Sequence, residues 1–421
     1  MRPAIHERPK ENRTMCLRKI RAGMKFPLAI VSALLVVVAV ATSAPGGFIP
    51  NVASTPSRTA TRTPTRTPTR KPTPTPTPAH HVFRVTGAMV TARQSHTATL
   101  LINGMVLITG GMDKLNRTIA SAELFNPATG RFSPTGSMNV ARAFHSATLL
   151  RNGQVLVVGG EGVTDAALTS AELYNPISGR FTLTGNLTVR RLAHSATLLS
   201  NGLVLVAGGA DGNFHALPFA ELYNPATGRF TLTNNLKAAR LFHTATMLNS
   251  GQVLLAGGNN SAFALASAER FTAADTFMLT GSMSAARTFL SASLLNSGAV
   301  AGQVLVAGGF NVRALTSADI FNPLTATFRA TGSLHFARLV HTATRLNDGE
   351  VLIAGGEDNQ GGHALAPAEL FNPDTGKFAI AASLHFPRLF HTATLLAGGA
   401  VLIAGGTNNV SVVGNAELFL P

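Results

Sequence analysis

One sequence motif recurs seven times between Arg93 and Pro421. Each copy reads approximately Ala-Arg-x-x-His-Ser/Thr-Ala-Thr-Leu-Leu, then Val-Leu-Val-Ala-Gly-Gly, then Ala-Glu-Leu-Phe-Asn-Pro, then Gly-Arg-Phe. The diglycines begin at residues 110, 159, 208, 257, 308, 355 and 405, so the steps are 49, 49, 49, 51, 47 and 50 residues. A regular period near fifty residues is typical of proteins built from repeated supersecondary units. The chain from residue 82 onward is therefore predicted to be a repeat domain.

Each apolar run within a repeat has the length of a β-strand. The runs are four to six residues long and are bounded by Gly, Asn or Pro, which excludes helices of ordinary length. The run from Val155 to Val158 is apolar throughout, so that strand must be covered on both faces. Four strands per repeat, packed sheet against sheet around an axis, predict an all-β fold: a seven-bladed β-propeller of four-stranded antiparallel blades.

The two ends of the repeat region predict how the propeller closes. The segment from Val82 to Met89 aligns with the fourth-strand segment from Arg131 to Met138, whereas the last repeat stops after its third strand. We therefore expect the N-terminal strand to complete the last blade and to remove an open sheet edge. A glycine precedes most links between repeats, and Asn234 fills that position once, which suggests a backbone conformation with positive φ.

The first 81 residues read as three segments. Residues 1–25 are basic, residues 26–44 form an apolar run predicted to be a helix that acts as a signal peptide or a transmembrane anchor, and residues 45–81 form a Thr/Pro/Arg-rich linker predicted to be disordered. We expect export to the cell surface or the medium, with the membrane as a partner if the apolar run is not cleaved. The single cysteine, Cys16, lies in this leader, so the repeat domain has no disulfide.

The formal charge does not indicate nucleic-acid binding. Of the net charge of +15, the leader carries +11, because it has 13 Lys and Arg residues against two acids. The repeat domain, with 21 bases and 17 acids, is nearly balanced. We therefore expect no nucleic-acid partner.

The repeats resemble those of the Kelch family, in the variety common in secreted bacterial proteins. The resemblance rests on the diglycine that ends the second strand and on an aromatic residue in the third strand, and it covers residues 82–421. Phenylalanine stands where the family usually has a fourth-strand tryptophan. The third-strand aromatics are Phe125, Tyr174, Tyr223, Phe271, Phe321, Phe371 and Phe419.

The resemblance extends to the galactose-oxidase-like propellers, some of which are copper oxidases. Their site requires tyrosine ligands, one of them cross-linked to a cysteine. The two tyrosines here occupy third-strand aromatic positions, and the domain has no cysteine. We therefore predict no copper site, no other metal and no cofactor.

Each repeat contributes one arginine at the start of its first strand and one acid in its third strand. The arginines could line the channel as an anion-binding ring, or each could pair with its acid inside the blade. We favour structural pairing, because residues that every blade requires in the same way serve the blade. The residues are Arg93, Arg142, Arg191, Arg240, Arg287, Arg338 and Arg388, with Glu123, Glu172, Glu221, Glu269, Asp319, Glu369 and Glu417.

A histidine follows the arginine by three residues in six repeats, and Leu290 takes its place in the seventh. A metal site is one interpretation of this pattern. Because adjacent packed sheets stand about 10 Å apart, the ring cannot bring several imidazoles to one ion, and we favour structural histidines. They are His96, His145, His194, His243, His341 and His391.

The connections from second to third strand vary most between repeats. Since variable loops on a rigid scaffold commonly form binding surfaces, we predict a non-enzymatic, extracytoplasmic binding module that presents this loop face to a protein or glycan. The alternatives are a secreted carbohydrate-active enzyme and a structural or adhesive envelope protein. The candidate ligand-binding residues are Asp113, Lys114, Arg117, Asp211, His215, Arg313, Glu357, Asp358 and His363.

Overall fold

A computed structural model of the chain describes residues 81–358 and 362–421. It contains seven four-stranded antiparallel sheets, and the innermost strand of each sheet contacts that of the next until the last meets the first. This confirms the predicted seven-bladed propeller. The structure does not describe residues 1–80, so the helix predicted for the leader, and the linker up to residue 80, lie outside the described residues. Among the residues that are described, no helix has the length and apolarity needed to cross a membrane.

Four strands make up each blade, counted outward from the axis. The innermost strands are Thr97–Leu100, Ser146–Leu149, Ser195–Leu198, Thr244–Met247, Ser291–Leu294, Thr342–Arg345 and Thr392–Leu395. The second strands are Val106–Thr109, Val155–Val158, Val204–Ala207, Val253–Ala256, Val304–Ala307, Val351–Ala354 and Val401–Ala404. The third strands are Ala122–Asn126, Ala171–Asn175, Ala220–Asn224, Ala268–Phe271, Ala318–Asn322, Pro367–Asn372 and Ala416–Leu420.

In blades 1 to 6 the outer strand is the fourth strand of the repeat, and in blade 7 it is the N-terminal strand. They are Arg131–Pro134, Arg180–Leu183, Arg229–Leu232, Phe277–Leu279, Thr327–Ala330, Lys377–Ser383 and Val82–Val85. Blade 6 has a register shift between Pro367 and Glu369, and blade 5 has additional elements. It adds a 3-10 helix at Gly298–Val300 and a short strand pair, Phe310–Asn311 with Arg313–Ala314.

The propeller closes as predicted. Val82–Val85 pairs antiparallel with Ala416–Leu420, with Phe83 opposite Phe419. Their rings lie 5.2 Å apart, and Phe83 is buried. Because this pairing joins the two ends of the domain in one sheet, blade 7 has the same four strands as the others.

The core lies between blades. Every residue of the second strands is buried, which explains why these runs do not alternate between apolar and polar. Between blades 1 and 2, for example, Leu107 packs in one cluster with Val155 and Val157. Each such side chain contributes about 1.5–3 kcal/mol by leaving water. Stability is therefore distributed around the ring.

The glycine before each link has a different role from the one predicted. Gly136 has no positive φ, but a Cβ there would lie 2.3 Å from the carbonyl oxygen of Gly179 in the next blade. Asn234 is also absent from the residues with positive φ, and its Nδ2 donates to the carbonyl of Asp275. The prediction of positive φ was wrong. Gly136 is required by its close approach to the next blade, which only the assembled ring reveals, whereas Asn234 uses its side chain to bond the next blade.

The two faces of the disc differ in what they carry. We call one the hairpin face, which in blade 1 carries the turns at 101–105 and 127–130. The other is the link face, which in blade 1 carries the loop 110–121 and the link 86–96 that leads into the innermost strand. The loops that vary between blades therefore share a face with the seven links.

Candidate functional site

The arginine of each repeat is buried in a hydrogen-bonded clamp inside its blade. In blade 2, Arg142 Nη2 donates to Glu172 Oε1 at 2.9 Å, and Nη1 donates to the carbonyls of Gly159 and Ser170. Glu172 also accepts the backbone N–H groups of Asn139 and Val140 from the incoming link. The clamp thus ties the link, the diglycine and the third strand together.

All seven blades contain this clamp. The distances between arginine Nη2 and the acid oxygen run from 2.7 to 2.9 Å, and every arginine side chain is fully buried. Burial lowers the pKa of Arg142, and the hydrogen bond and charge of Glu172 oppose that shift. Because no clamp guanidinium is exposed, the ring does not present the anion site that was the alternative interpretation.

The six histidines connect neighbouring blades. Each Nε2 lies 2.8–3.1 Å from a hydroxyl on the innermost strand of the preceding blade, as His194 does from Ser146 Oγ and His391 from Thr342 Oγ1. Burial, followed by the charge of the nearby arginine, lowers the pKa of all six and brings that of His243 to about 3. They are therefore neutral at ordinary pH.

The histidines also explain the first glycine of six diglycines, while Leu290 lies against the seventh, Gly257. A Cβ on Gly159 would lie 2.9 Å from His194 Cε1 and 2.6 Å from the carbonyl oxygen of Arg191. The imidazole therefore occupies the space that any side chain would need. Within residues 81–358 and 362–421, no group of three or more His, Cys, Asp or Glu side chains is arranged to hold a metal ion.

A ring of seven residues, each preceding the histidine position, surrounds the axis on the link face; we call it the mouth ring. All seven have φ between 50° and 54°. In this left-handed conformation the N–H of Phe144 donates to the carbonyl of Ser95, and five further bonds of this kind run from blade to blade. The mouth ring consists of Ser95, Phe144, Ala193, Phe242, Phe289, Val340 and Phe390.

Four phenylalanine rings of the mouth ring form a continuous chain. The centroid of Phe144 lies 6.1 Å from that of Phe390 and 6.2 Å from that of Phe242, although another blade intervenes in each case. The ring centroids of Phe242 and Phe289 lie 4.2 Å apart, with the ring planes tilted by 34°. All four are half-buried. The side chains therefore converge over the axis and form an aromatic floor at the mouth of the channel.

The loop residues predicted to bind a ligand are mostly paired within their own loops. Asp113 accepts from Arg117 Nη2 at 2.7 Å, and Asp211 lies 3.1 Å from His215 Nδ1. Hydrogen bonds from Arg117 and neighbouring backbone groups outweigh partial burial and lower the pKa of Asp113. These pairs close the loops.

The other predicted loop residues are scattered around the link face. Asp358 lies 3.9 Å from His363, and Arg313 is exposed in blade 5. Glu357 is buried, and desolvation raises its pKa. The structure does not gather the predicted residues into one site.

Blade 1 holds three of the predicted residues beside a groove. Its volume is about 460 Å³, and Asp113, Lys114 and Arg117 line it together with Leu115 and the link from Ala88 to Ala92. The groove lies at the junction of blades 7 and 1, away from the aromatic floor.

Two histidines that sequence reasoning did not single out lie on the same face. His335 Nδ1 lies 2.9 Å from Glu369, and His385 Nδ1 lies 2.8 Å from Glu417, while both imidazoles remain about half exposed. Asn139 occupies the equivalent position in blade 2 and bonds Glu172 in the same way. The available signal was the segment Ser-Leu-His-Phe, which occurs only in repeats 6 and 7.

The tyrosines do not fit a copper centre. Tyr174 and Tyr223 are fully buried in third strands, and their hydroxyls lie 2.9 Å from Thr135 and Thr184 in the preceding blade. Each packs against a phenylalanine of the outer strand. Both phenols are thus held within blade interfaces, and no cysteine occurs in residues 82–421.

Comparison with known proteins places the fold. No family model matches the chain, and no curated protein matches it. A fungal alcohol oxidase of the AA5 family, solved in complex with copper, matches with a TM-score of 0.66 at 18% identity, over 80% of this chain and 76% of the oxidase. YjhT matches with a TM-score of 0.54 at 14% identity, over 70% of this chain and 98% of YjhT. The chain is thus a β-propeller protein.

The comparison overturns one prediction. The chain was predicted to be a non-enzymatic binding module, because its most variable loops share one face of a rigid scaffold. The alcohol oxidase shows that the same scaffold, over 80% of this chain, supports an enzyme. At 18% identity the similarity shows the fold alone and assigns no activity, but it contradicts the non-enzymatic part of the prediction, which is withdrawn.

Proposed function

We propose that this protein is a propeller enzyme that binds a sugar, or a similar polyhydroxylated ring, at the axial mouth. The observation that carries the proposal is the chain of four phenylalanine rings across the axis. The C–H face of a sugar ring is attracted to the negative face of an aromatic ring. Small-molecule sites are commonly apolar and aromatic depressions with a few polar groups around them.

The backbone of the mouth ring supports this interpretation. A left-handed conformation costs a residue with a side chain about 1–2 kcal/mol, and Phe144 adopts it at φ 51°. Ser95 and Ala193 adopt the same conformation in their blades, so the scaffold does not require an aromatic residue there. The four rings therefore serve the mouth, and strained positions of this kind are commonly found at functional sites.

The chemistry that the link face supports is proton transfer. In His335 and His385 a buried glutamate holds Nδ1 and fixes the ring, which leaves Nε2 to exchange a proton. The buried phenols and the lack of a cysteine do not suit copper-radical chemistry, so no step passes through copper. The sharing of this fold with an alcohol oxidase supports catalysis in general terms.

Binding at the mouth is tested with the full-length protein and a panel of neutral and acidic monosaccharides, followed by saturation-transfer NMR. Phe242→Ala and Phe289→Ala should each weaken a bound sugar roughly fivefold, because an aromatic contact contributes about 1 kcal/mol. Phe263→Ala is the matched control, since Phe263 is exposed on a loop of the same face. Equal effects at Phe263 and Phe242, or no sugar bound by the parent protein, would contradict the proposal.

Catalysis is tested separately on any sugar that binds. His335→Asn and His385→Asn keep the hydrogen bond to the glutamate, as Asn139 does in blade 2, but remove the imidazole ring. Turnover should fall about a hundredfold or more in at least one variant, with binding unchanged. Binding without turnover in the parent protein would leave the mouth site standing and refute the enzyme.

We propose further that the repeats are of the Kelch type and that the protein is exported. The diglycines, the third-strand aromatics and the order of the motifs support the family, and the basic segment followed by the apolar run 26–44 supports export. N-terminal sequencing of the mature protein tests the second part. A mature chain that starts between residues 42 and 46 indicates a cleaved signal peptide, whereas an intact N-terminus in the membrane fraction indicates an anchor.

A further inference from the structure

Charge is distributed unevenly between the two faces of blades 1 to 3. These blades contain seven acids. Glu123, Glu172 and Glu221 are buried in clamps, and Asp113, Glu161, Asp165 and Asp211 belong to loops of the link face. The hairpin face and the outer strands of these three blades therefore carry no acid.

The same surface carries exposed arginines. Arg131, Arg180 and Arg229 begin the outer strands next to the hairpins, at the same position in three consecutive blades, and all are exposed. Arg151 lies in a neighbouring hairpin and donates to the carbonyl of Ser200 in the next blade. Four cations thus follow one another around about three sevenths of the disc.

Exposed aliphatic side chains lie among these arginines. Ile177, at the tip of a hairpin, is 97% exposed, and Ile102 is 74% exposed beside the hairpin of Arg151. Leu183 and Leu232 are exposed on the outer strands. Those two leucines lie opposite Glu172 and Glu221, at the link-face ends of their strands. We therefore call Ile102, Ile177 and the four arginines the basic sector. Exposed aliphatic residues interleaved with cations are typical of surfaces that bind membranes.

The chain enters the propeller on the same face. Val82 pairs with Leu420 at the end of the third strand, which is the hairpin end of blade 7. The sequence before Val82 contains five basic residues between Arg58 and Lys71 and the apolar run 26–44. Blade 7 adjoins blade 1, so Val82 lies beside the basic sector.

Other blades differ in their charges. The hairpins of blades 4 and 6 carry Asp275, Asp348, Glu350 and Asp374. Blades 5 and 7 have no acid on the hairpin face, but each has a single exposed arginine on its outer strand, Arg329 and Arg84. Among the described residues, only blades 1 to 3 have an arginine at the hairpin end of the outer strand in consecutive blades. The asymmetry points to one preferred side of the disc.

We propose that the basic sector docks on the anionic headgroups of a lipid bilayer, with Ile102 and Ile177 entering the interfacial region. The arginines complement the negative charge of the headgroups. The two isoleucines add apolar surface that can enter a bilayer but has no role in binding a dissolved polyanion. This orientation directs the link face, with its aromatic floor, away from the bilayer. The proposal does not depend on the activity of that floor.

The test uses the absence of tryptophan from the chain. Full-length Ile177→Trp protein has a single tryptophan, whose emission shifts to shorter wavelength and is quenched by brominated lipid when it enters a bilayer. Leu115→Trp is the matched control, because Leu115 is 70% exposed on the link face. Both proteins are mixed with vesicles of phosphatidylcholine alone or of phosphatidylcholine with phosphatidylglycerol.

We expect a blue shift only for Ile177→Trp and only with the anionic vesicles. Adding Arg180→Glu or Arg229→Glu should lower the partition coefficient about fivefold or more for each arginine, with unchanged thermal unfolding. The same response with uncharged vesicles, or the same response from both tryptophans, would overturn the proposal. Arginine-dependent binding to a soluble sulfated polysaccharide without any response to vesicles would also overturn it.

Discussion

The clamp and the mouth ring lie two residues apart in every repeat, yet they vary in opposite ways. Each blade has the same buried arginine, bonded to an acid at 2.7–2.9 Å. The mouth ring uses Ser, Ala, Val and Phe at one backbone conformation. Each of the seven blades needs its own clamp, so the clamp residues repeat. The channel mouth is a single surface shared by all blades, so its residues are free to differ. Variation at an otherwise constant backbone position therefore points to the proposed site more clearly than the repeated charges do.

Breaking one clamp should have the largest effect among single substitutions. Arg142→Ala leaves Glu172 buried and without its cation, so we expect a loss of about 3–5 kcal/mol in the free energy of unfolding. Glu172→Ala should cost a similar amount, and the double variant should cost less than the sum. Chemical denaturation measures all three. Additive losses would show that the two residues stabilise the blade independently.

Acid should destabilise the scaffold through the histidines that connect the blades. Their folded pKa values are lowered, to about 3 for His243 and His391, so below pH 6.5 the unfolded chain binds protons that the folded chain does not. Stability should therefore fall as the pH falls from 6.5 towards 3, by up to about 1.4 kcal/mol per pH unit for each histidine. Thermal unfolding between pH 7 and 5 measures the slope.

A matched variant sharpens the pH prediction. His145→Leu copies Leu290, which already takes the histidine position in blade 5 and packs against Gly257. This variant should fold and show a shallower dependence on pH than the parent protein. An unchanged slope would mean that the buried histidines do not set the acid sensitivity.

Changes in the mouth ring should have the smallest effect on stability. Phe242 is half-buried and belongs to no clamp, so Phe242→Ala should cost about 2 kcal/mol or less, compared with about 3–5 kcal/mol for a buried phenylalanine such as Phe125. Denaturation of Phe242→Ala and Phe125→Ala side by side measures the difference. Equal losses would show that the aromatic floor belongs to the scaffold and would weaken its role as a site.

Much of the fold was predictable because the residues that define each strand and turn lie close together in the sequence of one repeat. The diglycine spacing predicted seven blades, and the alignment of Val82 with Arg131 predicted closure by the N-terminal strand. The non-alternating second strand correctly indicated burial on both faces. These conclusions need only the order of short segments, because neighbouring strands of a blade are also neighbours in the chain.

The candidate site was less predictable. Loop residues such as Asp113 and Arg117 looked available as polar residues in variable loops, but they pair with each other four positions apart. Phe144 and Phe390 are in the same repeat position yet 246 residues apart in the chain, and nothing local indicates that their rings meet. The sequence showed the residue types, whereas their meeting depends on how seven blades converge.

The amino-acid sequence by itself determined the number of blades, the strand order and the residues that each blade requires, since hydrophobic spacing and turn residues act over short stretches of chain. Only the tertiary structure decided that a glycine before a link avoids a carbonyl of the next blade, that a histidine bonds the hydroxyl of the previous one, and that four phenylalanines cover the axis. These contacts join residues of different repeats. Their geometry is set by the closure of the ring, which no single repeat contains.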